Sequence, residues 1–316
     1  MSERHINSSM DTALTTPAPA SHRRRTVRWS PVALHLAERD HWLLEALGKL
    51  RFATTGQLLR LGFANTRSVA SKRLRRLFDA GLVNVWVRCL EAENVYSLTL
   101  AGRSVLAGTS NGHRVHVARG LDRDLDHTLA VNDVRIALAT MLPALGAELT
   151  SWLSDWDLRP RGVSRRLVPD AQFTIRWSTG AETACNLEVD RRTQSTTAVL
   201  RKLMAYRAAM YRQDRSLVDS NPLILVVAHS SDWCHSHRNA LRHAALRIRA
   251  WFTTRADLIA TGAAGLIWRT ADDDQPYALS TLAALRNGSA GYPSETAAAT
   301  SAYALNAARV PPVPTA

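Results

Sequence analysis

One pattern constrains this chain more than any other. Over residues 171–177 the apolar side chains fall on every second position, Ala171, Phe173, Ile175 and Trp177, while Asp170, Gln172, Thr174 and Arg176 take the places between. Strict alternation is the mark of a strand with one buried face, because successive side chains point to opposite sides. "STGAE" then supplies turn chemistry around Gly180, and "TACNLEVDR" returns with Leu187 and Val189 on the buried side. The segment is therefore expected to be a β-hairpin whose polar face carries acids. If the chain reverses about Gly180, Asp170 falls opposite Asp190, with Glu188 one diagonal step away on the same face. Like charges opposed on a strand pair are destabilising unless something neutralises them. A hard divalent cation does so, since it takes oxygen ligands from two or three carboxylates and completes its shell with water. Asp170, Glu188 and Asp190 are thus candidate Mg²⁺ ligands and candidate catalytic residues. Arg191 and Arg192 follow directly, and pairing with them is the plainer, purely structural alternative.

The elements around the hairpin extend it into a domain. "LDRDLDHTLAVNDVRIALATML" (121–142) reads as a long helix on which Asp126 and Asp133, about two turns apart, share a face. Asp133 is a candidate fourth carboxylate for the cation. After the hairpin come a helix in "TQSTTAVLRKLMAYRAAMYRQ", a buried strand in "PLILVVAH", a helix in "CHSHRNALRHAALRIRAWF" and a strand in "GLIWRT". This order predicts an α/β domain over 118–275, a mixed sheet flanked by helices on both faces. The restriction-endonuclease-like core has the same order. Such a nuclease carries a lysine where this chain has Asp190. Lys202, 12 residues further on and the only lysine of the second half, is the candidate substitute. It lies about 14 Å along its helix, so it reaches the acids only if that helix folds back over the sheet.

Residues 35–110 form a separate unit. "AERDHWLLEALGKLRF" suits a helix whose buried face takes Trp42, Leu43, Leu44, Ala46, Leu47 and Leu50. "TTGQLLRLGF" suits a short second helix, and "NTRSVASKRLRRLFDAGLV" a third, with Val69, Leu74, Leu77 and Phe78 as its stripe and Gly81 as its stop. "LVNVWVRC" and "NVYSLTLAGR" alternate like a hairpin. Three helices followed by a hairpin is the order of a winged helix-turn-helix. Arg67, Ser68, Ser71, Lys72, Arg75 and Arg76 lie off the third helix's stripe, as residues reading base edges and phosphates must. A winged helix used for protein docking is the alternative.

The formal net charge of +13 agrees with a polyanionic partner, double-stranded DNA being the expected one. No run of about 18 apolar residues is found, residues 1–34 lack the apolar core of a secretory signal, and Cys89, Cys185 and Cys234 are odd in number and far apart. A cytoplasmic protein without membrane partners is expected. Residues 1–34, with the basic knot Arg23, Arg24, Arg25 and Arg28, read as a disordered basic arm, and residues 285–316 as a disordered Ala/Ser/Pro-rich tail.

"LLEALGKLRFATTGQLLRL", "KRLRRLFDAGLV", "YSLTLAGR", "HTLAVNDVR", "LVPDA" and "LEVDR", with Lys202 and Tyr206 downstream, together resemble the plasmid replication-relaxation family over about residues 40–215. The resemblance implies a DNA-binding protein of plasmid or mobile-element replication and DNA relaxation, acting with other replication or mobilisation proteins. It marks His127, Asn132, Asp133, Asp170, Glu188, Asp190 and Lys202 as motif residues. Two functions follow as expectations: a Mg²⁺-dependent DNA nickase, or a non-catalytic accessory factor or regulator on a degenerate nuclease-like scaffold. Other features weigh less. "WCHSH" lacks a second ligand pair at zinc-finger spacing. His127 reads as a hydrogen-bonded helix residue. Tyr206 and Tyr211 lack the histidine cluster that tyrosine relaxase chemistry needs.

Overall fold

A computed structural model describes residues 23–24, 35–89, 91–107, 115–118, 120, 124–159, 167–190, 195–211, 222–244 and 248–281. It divides into two units, Met1–Gly56 with Thr66–Arg119, and Gln57–Asn65 with Gly120–Ala316.

In the first unit, β1 (Arg23–Arg24) precedes α1 (Glu38–Leu50), β2 (Ala53–Thr54), α2 (Thr55–Arg60, which passes into the second unit), α3 (Arg67–Asp79), β3 (Val83–Val87), β4 (Val95–Leu98) and α4 (Leu100–Leu106). Among the described residues the strands form a sheet in the order β1-β3-β4-β2. Leu43, Leu44 and Leu47 of α1 and Leu74, Leu77 and Phe78 of α3 are buried as their spacing requires. Trp42 and Val69, expected in the same stripes, are exposed, and Ala70 is buried in α3 instead. Asp40 locks α1 to α3: its carboxylate accepts from Arg73 Nε at 2.6 Å and from the Ala37 N–H at 2.7 Å. Burial works against that charge, but the Arg73 bond and the Ala37 N–H outweigh it and hold the carboxyl below its usual range. Thr66 caps α3 by accepting from Val69 N, and Gly81 ends it at φ +73°. The alternation expected to run through Arg103 stops at Leu98. Thr99 then caps α4, because its hydroxyl satisfies the Gly102 N–H. Arg23 and Arg24, inside the stretch expected to be a disordered arm, pair antiparallel with Val87 and Trp86. The rest of that arm and the 285–316 tail lie outside the described residues.

The second unit is α/β. Its elements are α5 (Leu125–Met141), a 3-10 turn (Leu142–Leu145), β5 (Ala147–Ser154), α6 (Asp155–Leu158), β6 (Ala171–Trp177), β7 (Glu182–Val189), α7 (Thr196–Tyr211), β8 (Leu223–Ala228), α8 (Ser231–His243), β9 (Ala250–Thr254), α9 (Arg255–Thr261) and β10 (Arg269–Thr270). Among the described residues they build a mixed six-stranded sheet in the order β10-β9-β8-β7-β6-β5. β7, β8 and β9 run parallel, while β5, β6 and β10 pair antiparallel with their neighbours. Two of these strands differ from the sequence expectation. β5 is an edge strand with mixed exposure and a bulge near Leu149 and Ser151, so its alternation is broken. β9 lies in what reads as the end of a helix: α8 stops at His243, and the wholly buried Ala250–Thr254 joins the sheet.

Each sheet face has its own core. Ala130, Val131, Val134 and Leu138 of α5 pack on Phe173, Ile175, Leu187 and Leu225. Val199, Leu203 and Tyr206 of α7 and Cys234 and Leu241 of α8 pack on Ile224, Val226 and Phe252. Burial explains the composition of α5. With its 3-10 turn it covers Leu125–Leu145, with a mean hydropathy of 1.3, long and apolar enough by length and composition alone to cross a membrane, although Asp126, His127, Asp133 and Arg135 interrupt its apolar residues. More than half of that window is buried in this domain, and the helix carries the buried polar residues Thr128, Asn132 and Asp133.

Candidate functional site

The parallel strands end together, at Val189, Ala228 and Thr254. In open α/β sheets the crevice outside the carboxyl ends of the strands is where ligands bind. The acids of the hairpin stand at this edge, in a register that differs from the expected one. Ala171 pairs with Leu187 and Arg176 with Glu182. Continued by one residue, that pairing sets Asp170 level with Glu188 rather than Asp190. The reason is the turn. Trp177 N bonds Ala181 O, and Gly180, at φ +79°, comes late in the loop. Glycine takes the left-handed position after the tip of such a turn, so the tip lies before Gly180. The shift is by two residues, so every side chain keeps its face.

Asp170 and Glu188 therefore sit opposite each other. Asp170 Oδ2 accepts from the Val189 N–H at 2.7 Å, and Oδ1 lies 3.0 Å from His127 Nε2 on α5. Glu188 is gripped from α7: Lys202 Nζ donates to Oε2 at 2.5 Å and Tyr206 Oη donates to Oε1 at 2.5 Å. The helix thus folds back over the sheet as a migrated lysine requires. Residues four apart share a helix face, which is why Lys202 and Tyr206 reach one carboxylate together.

The electrostatics follow from burial and from these neighbours. Burial and the Asp170 charge push the Glu188 carboxyl up to about 7, against the partial relief of Lys202 and Tyr206. Burial also disfavours an ionised Asp170, but the His127 bond and charge and the Lys202 charge outweigh it and hold that carboxyl below its usual range. For Lys202, burial is outweighed by Glu188 and Asp170, and the ammonium stays protonated above its ordinary pKa. Burial and Glu188 raise the Tyr206 phenol, which is thus held protonated as a donor.

The other two expected carboxylates are engaged elsewhere. Asp190 shares a narrow cleft with Glu188, Lys202 and Val226, but its Oδ2 bonds His237 Nε2 of α8 at 2.7 Å, and both side chains are buried. His237 Nδ1 is buried without a hydrogen-bond partner among the described residues. A proton on that nitrogen would lack an acceptor, which favours the tautomer with Nε2–H pointing at Asp190. Asp133 is expected among the acids; the structure binds it instead to Gln57 Nε2 at 2.8 Å, Arg255 Nε at 2.8 Å and Arg60. It projects from the helix that covers the opposite face of the sheet. Among the described residues no group of three His, Cys, Asp or Glu side chains is arranged to hold a metal. Arg191 and Arg192 lie outside the described residues.

Three contributors escape the sequence reading. Tyr206 reads as a core or rim aromatic, although its spacing of four from Lys202 is an available signal. His237 sits in a stretch that invites only a zinc reading. Asp155, at the start of α6, bonds the Asp170 carbonyl through its N–H and adds its charge to the field at Lys202. It directly follows the unexpected strand β5.

In the first unit, Arg67, Ser68, Ser71, Lys72, Arg75 and Arg76 are all exposed, but they form two sets. Arg67, Ser71 and Arg75 line a groove of about 560 Å³ against the β3–β4 hairpin, together with Phe78, Glu93 and Tyr96. There Arg67 pairs with Glu93, and Arg75 Nε bonds both oxygens of Asp79 at 2.8 and 2.9 Å. Ser68, Lys72 and Arg76, at intervals of four, occupy the outer side.

A family model described as replication-relaxation matches residues 44–218, more than half of the chain. No curated protein matches it, and no solved structure does.

Proposed function

The chain belongs to the replication-relaxation family, and from that premise we propose that it is a cytoplasmic DNA-binding protein of plasmid or mobile-element replication and relaxation, whose second unit nicks DNA with Mg²⁺. In this reading the first unit is a winged helix-turn-helix that grips duplex DNA through α3. The second is a restriction-endonuclease-like core. The observation that carries the reading is the convergence of Asp170, Glu188 and Lys202 at the carboxyl edge of the sheet, with Lys202 Nζ 2.5 Å from Glu188.

The residues present suit a hard cation. Two carboxylates face each other across neighbouring strands, and the charge of Asp170 helps drive Glu188 towards neutrality. Mg²⁺ is commonly held by one or two carboxylates, with water completing the shell. Asp170 and Glu188 would hold it; Asp190 and Asp133, engaged as they are, are set aside as ligands. When bound, the ion supplies Lewis-acid stabilisation of phosphate charge. The chain's own groups do the rest. Lys202 holds a compact positive charge beside the acids, suited to orienting a water or offsetting phosphate charge. His127 positions Asp170, and Tyr206 fixes the second oxygen of Glu188.

A supercoiled-plasmid assay with Mg²⁺ tests this. Nicking by the wild type that disappears in Asp170→Ala, Glu188→Ala and Lys202→Ala supports it; undiminished nicking in these variants refutes the assignment. A second reading, a non-catalytic replication accessory or regulator, draws on the saturation of the site: both Glu188 oxygens are bonded within the protein. It predicts DNA binding without cleavage under any divalent cation.

A further inference from the structure

We infer that Val69 is a base-reading residue, and that its partner is the 5-methyl group of a thymine in the major groove. The inference rests on α3 as the DNA-contacting helix and goes beyond it by assigning a base. Val69 is 45% exposed in a helix whose other large apolar residues, Leu74, Leu77 and Phe78, are buried. It stands in the first turn, its own N–H tied to the capping hydroxyl of Thr66. Three residues on is Lys72 and seven on is Arg76, so Val69 shares the outer side with them and with its neighbour Ser68.

The chemistry of that side selects the occupant. A single β-branched hydrocarbon among cations lacks the contiguous apolar area that a protein-docking patch would need. It suits DNA, where the same groove edge offers phosphates to Lys72 and Arg76 and one apolar feature, the thymine methyl. The residues of the first turn of a groove-lying helix are the ones that reach base edges. The cations on the hairpin side of α3 are held by Glu93 and Asp79, which leaves the outer side as the one presented to the groove. Val69 is too short and too apolar to bind a phosphate, so it contributes sequence preference and no salt dependence.

The test uses the full-length protein and duplexes selected by it from a randomised library. Each thymine of the selected site is replaced in turn by deoxyuridine, which removes only the methyl group. At one position the wild type should lose about fourfold in affinity, the value of one buried methyl. V69A should bind more weakly and be indifferent to that same replacement, which makes the two changes a coupled pair. Wild-type binding unchanged by every deoxyuridine, V69A retaining the wild-type sensitivity, or binding without sequence preference would each overturn the inference. Lys72→Ala/Arg76→Ala separates the two levels. Its loss of affinity on all sequences upholds α3 as the contact helix even where the thymine assignment fails. Affinity and salt dependence unchanged in that variant, or no DNA binding by the wild type, sinks both.

Discussion

Replacing Lys202 with Met should change how the stability of the second unit depends on pH. Glu188 is 11% exposed and its carboxyl sits at about 7 in the folded chain against an ordinary 4.5. The folded state thus prefers the protonated acid. Its contribution to stability is fully present below pH 4.5, is lost as pH rises to about 7, and is constant above that. At about 1.36 kcal/mol per pKa unit, the loss over that window is about 3 kcal/mol. Lys202, 2.5 Å from Glu188, keeps the carboxyl from rising further. An opposite charge so close is worth about 1–3 pKa units, so without it the Glu188 carboxyl should be pushed further up, beyond its folded value in the wild type. The Met variant should therefore go on losing up to about 1.4 kcal/mol per pH unit above pH 7 while the wild type levels off. Once the variant's carboxyl has titrated, the two should differ by about 1–4 kcal/mol more than at neutral pH. Urea unfolding at constant ionic strength across this range reads the difference directly. Adding Glu188→Gln to Lys202→Met should abolish the extra slope. A wild-type-minus-variant difference that stays flat above pH 7 would refute the assignment of Lys202 as the group restraining Glu188.

Asp133→Ala removes an acceptor shared by Gln57, Arg60 and Arg255, although the Gln57 amide keeps its bond to the Leu129 carbonyl; it should cost about 2 kcal/mol in thermal unfolding. Divalent-cation binding measured by calorimetry should not change in that variant. Gly102→Ala would place a Cβ 2.3 Å from the Leu82 carbonyl oxygen, so backbone must move, and urea unfolding should show a loss of about 2–3 kcal/mol. Phe173, buried and stacked on Trp152 at 5.0 Å between ring centroids, should cost about 3–5 kcal/mol when changed to Ala, seen as a lower unfolding midpoint. Lys72→Ala/Arg76→Ala should weaken DNA binding on all sequences. It should also reduce the slope of log affinity against log salt by about 0.9 for each phosphate that is no longer neutralised.

The six-stranded sheet also explains why the site is built where it is. α7 and α8 cross one face of the sheet and bring Lys202, Tyr206 and His237 down onto β7. α5 crosses the other face and brings His127 to the one acid, Asp170, that stands at the start of β6 and is reached from that side. The carboxylates thus meet donors from both helical layers at a single edge.

The sequence by itself determined which residues face which way. Alternation over 171–177 and 182–189 put Asp170, Glu188 and Asp190 on one face of a hairpin, because side-chain direction in a strand depends only on parity. The 3.6-residue spacing in the same way set the buried side of α3, apart from Val69, whose exposure depends on what lies beyond its own helix. Tertiary structure decided everything that depends on distance between elements. Pairing moved by two residues because the left-handed glycine sits after the tip of the turn, a matter of loop geometry that no hydrophobic pattern encodes. β5 was hidden because an edge strand with a bulge loses its alternation, and β9 because a strand buried on both faces has none to show. Asp133 left the cluster for Gln57, Arg60 and Arg255, while Lys202 joined it from a helix 14 residues beyond Glu188. The strength of an ion pair depends on separation and burial in space, and separation along the chain reports neither.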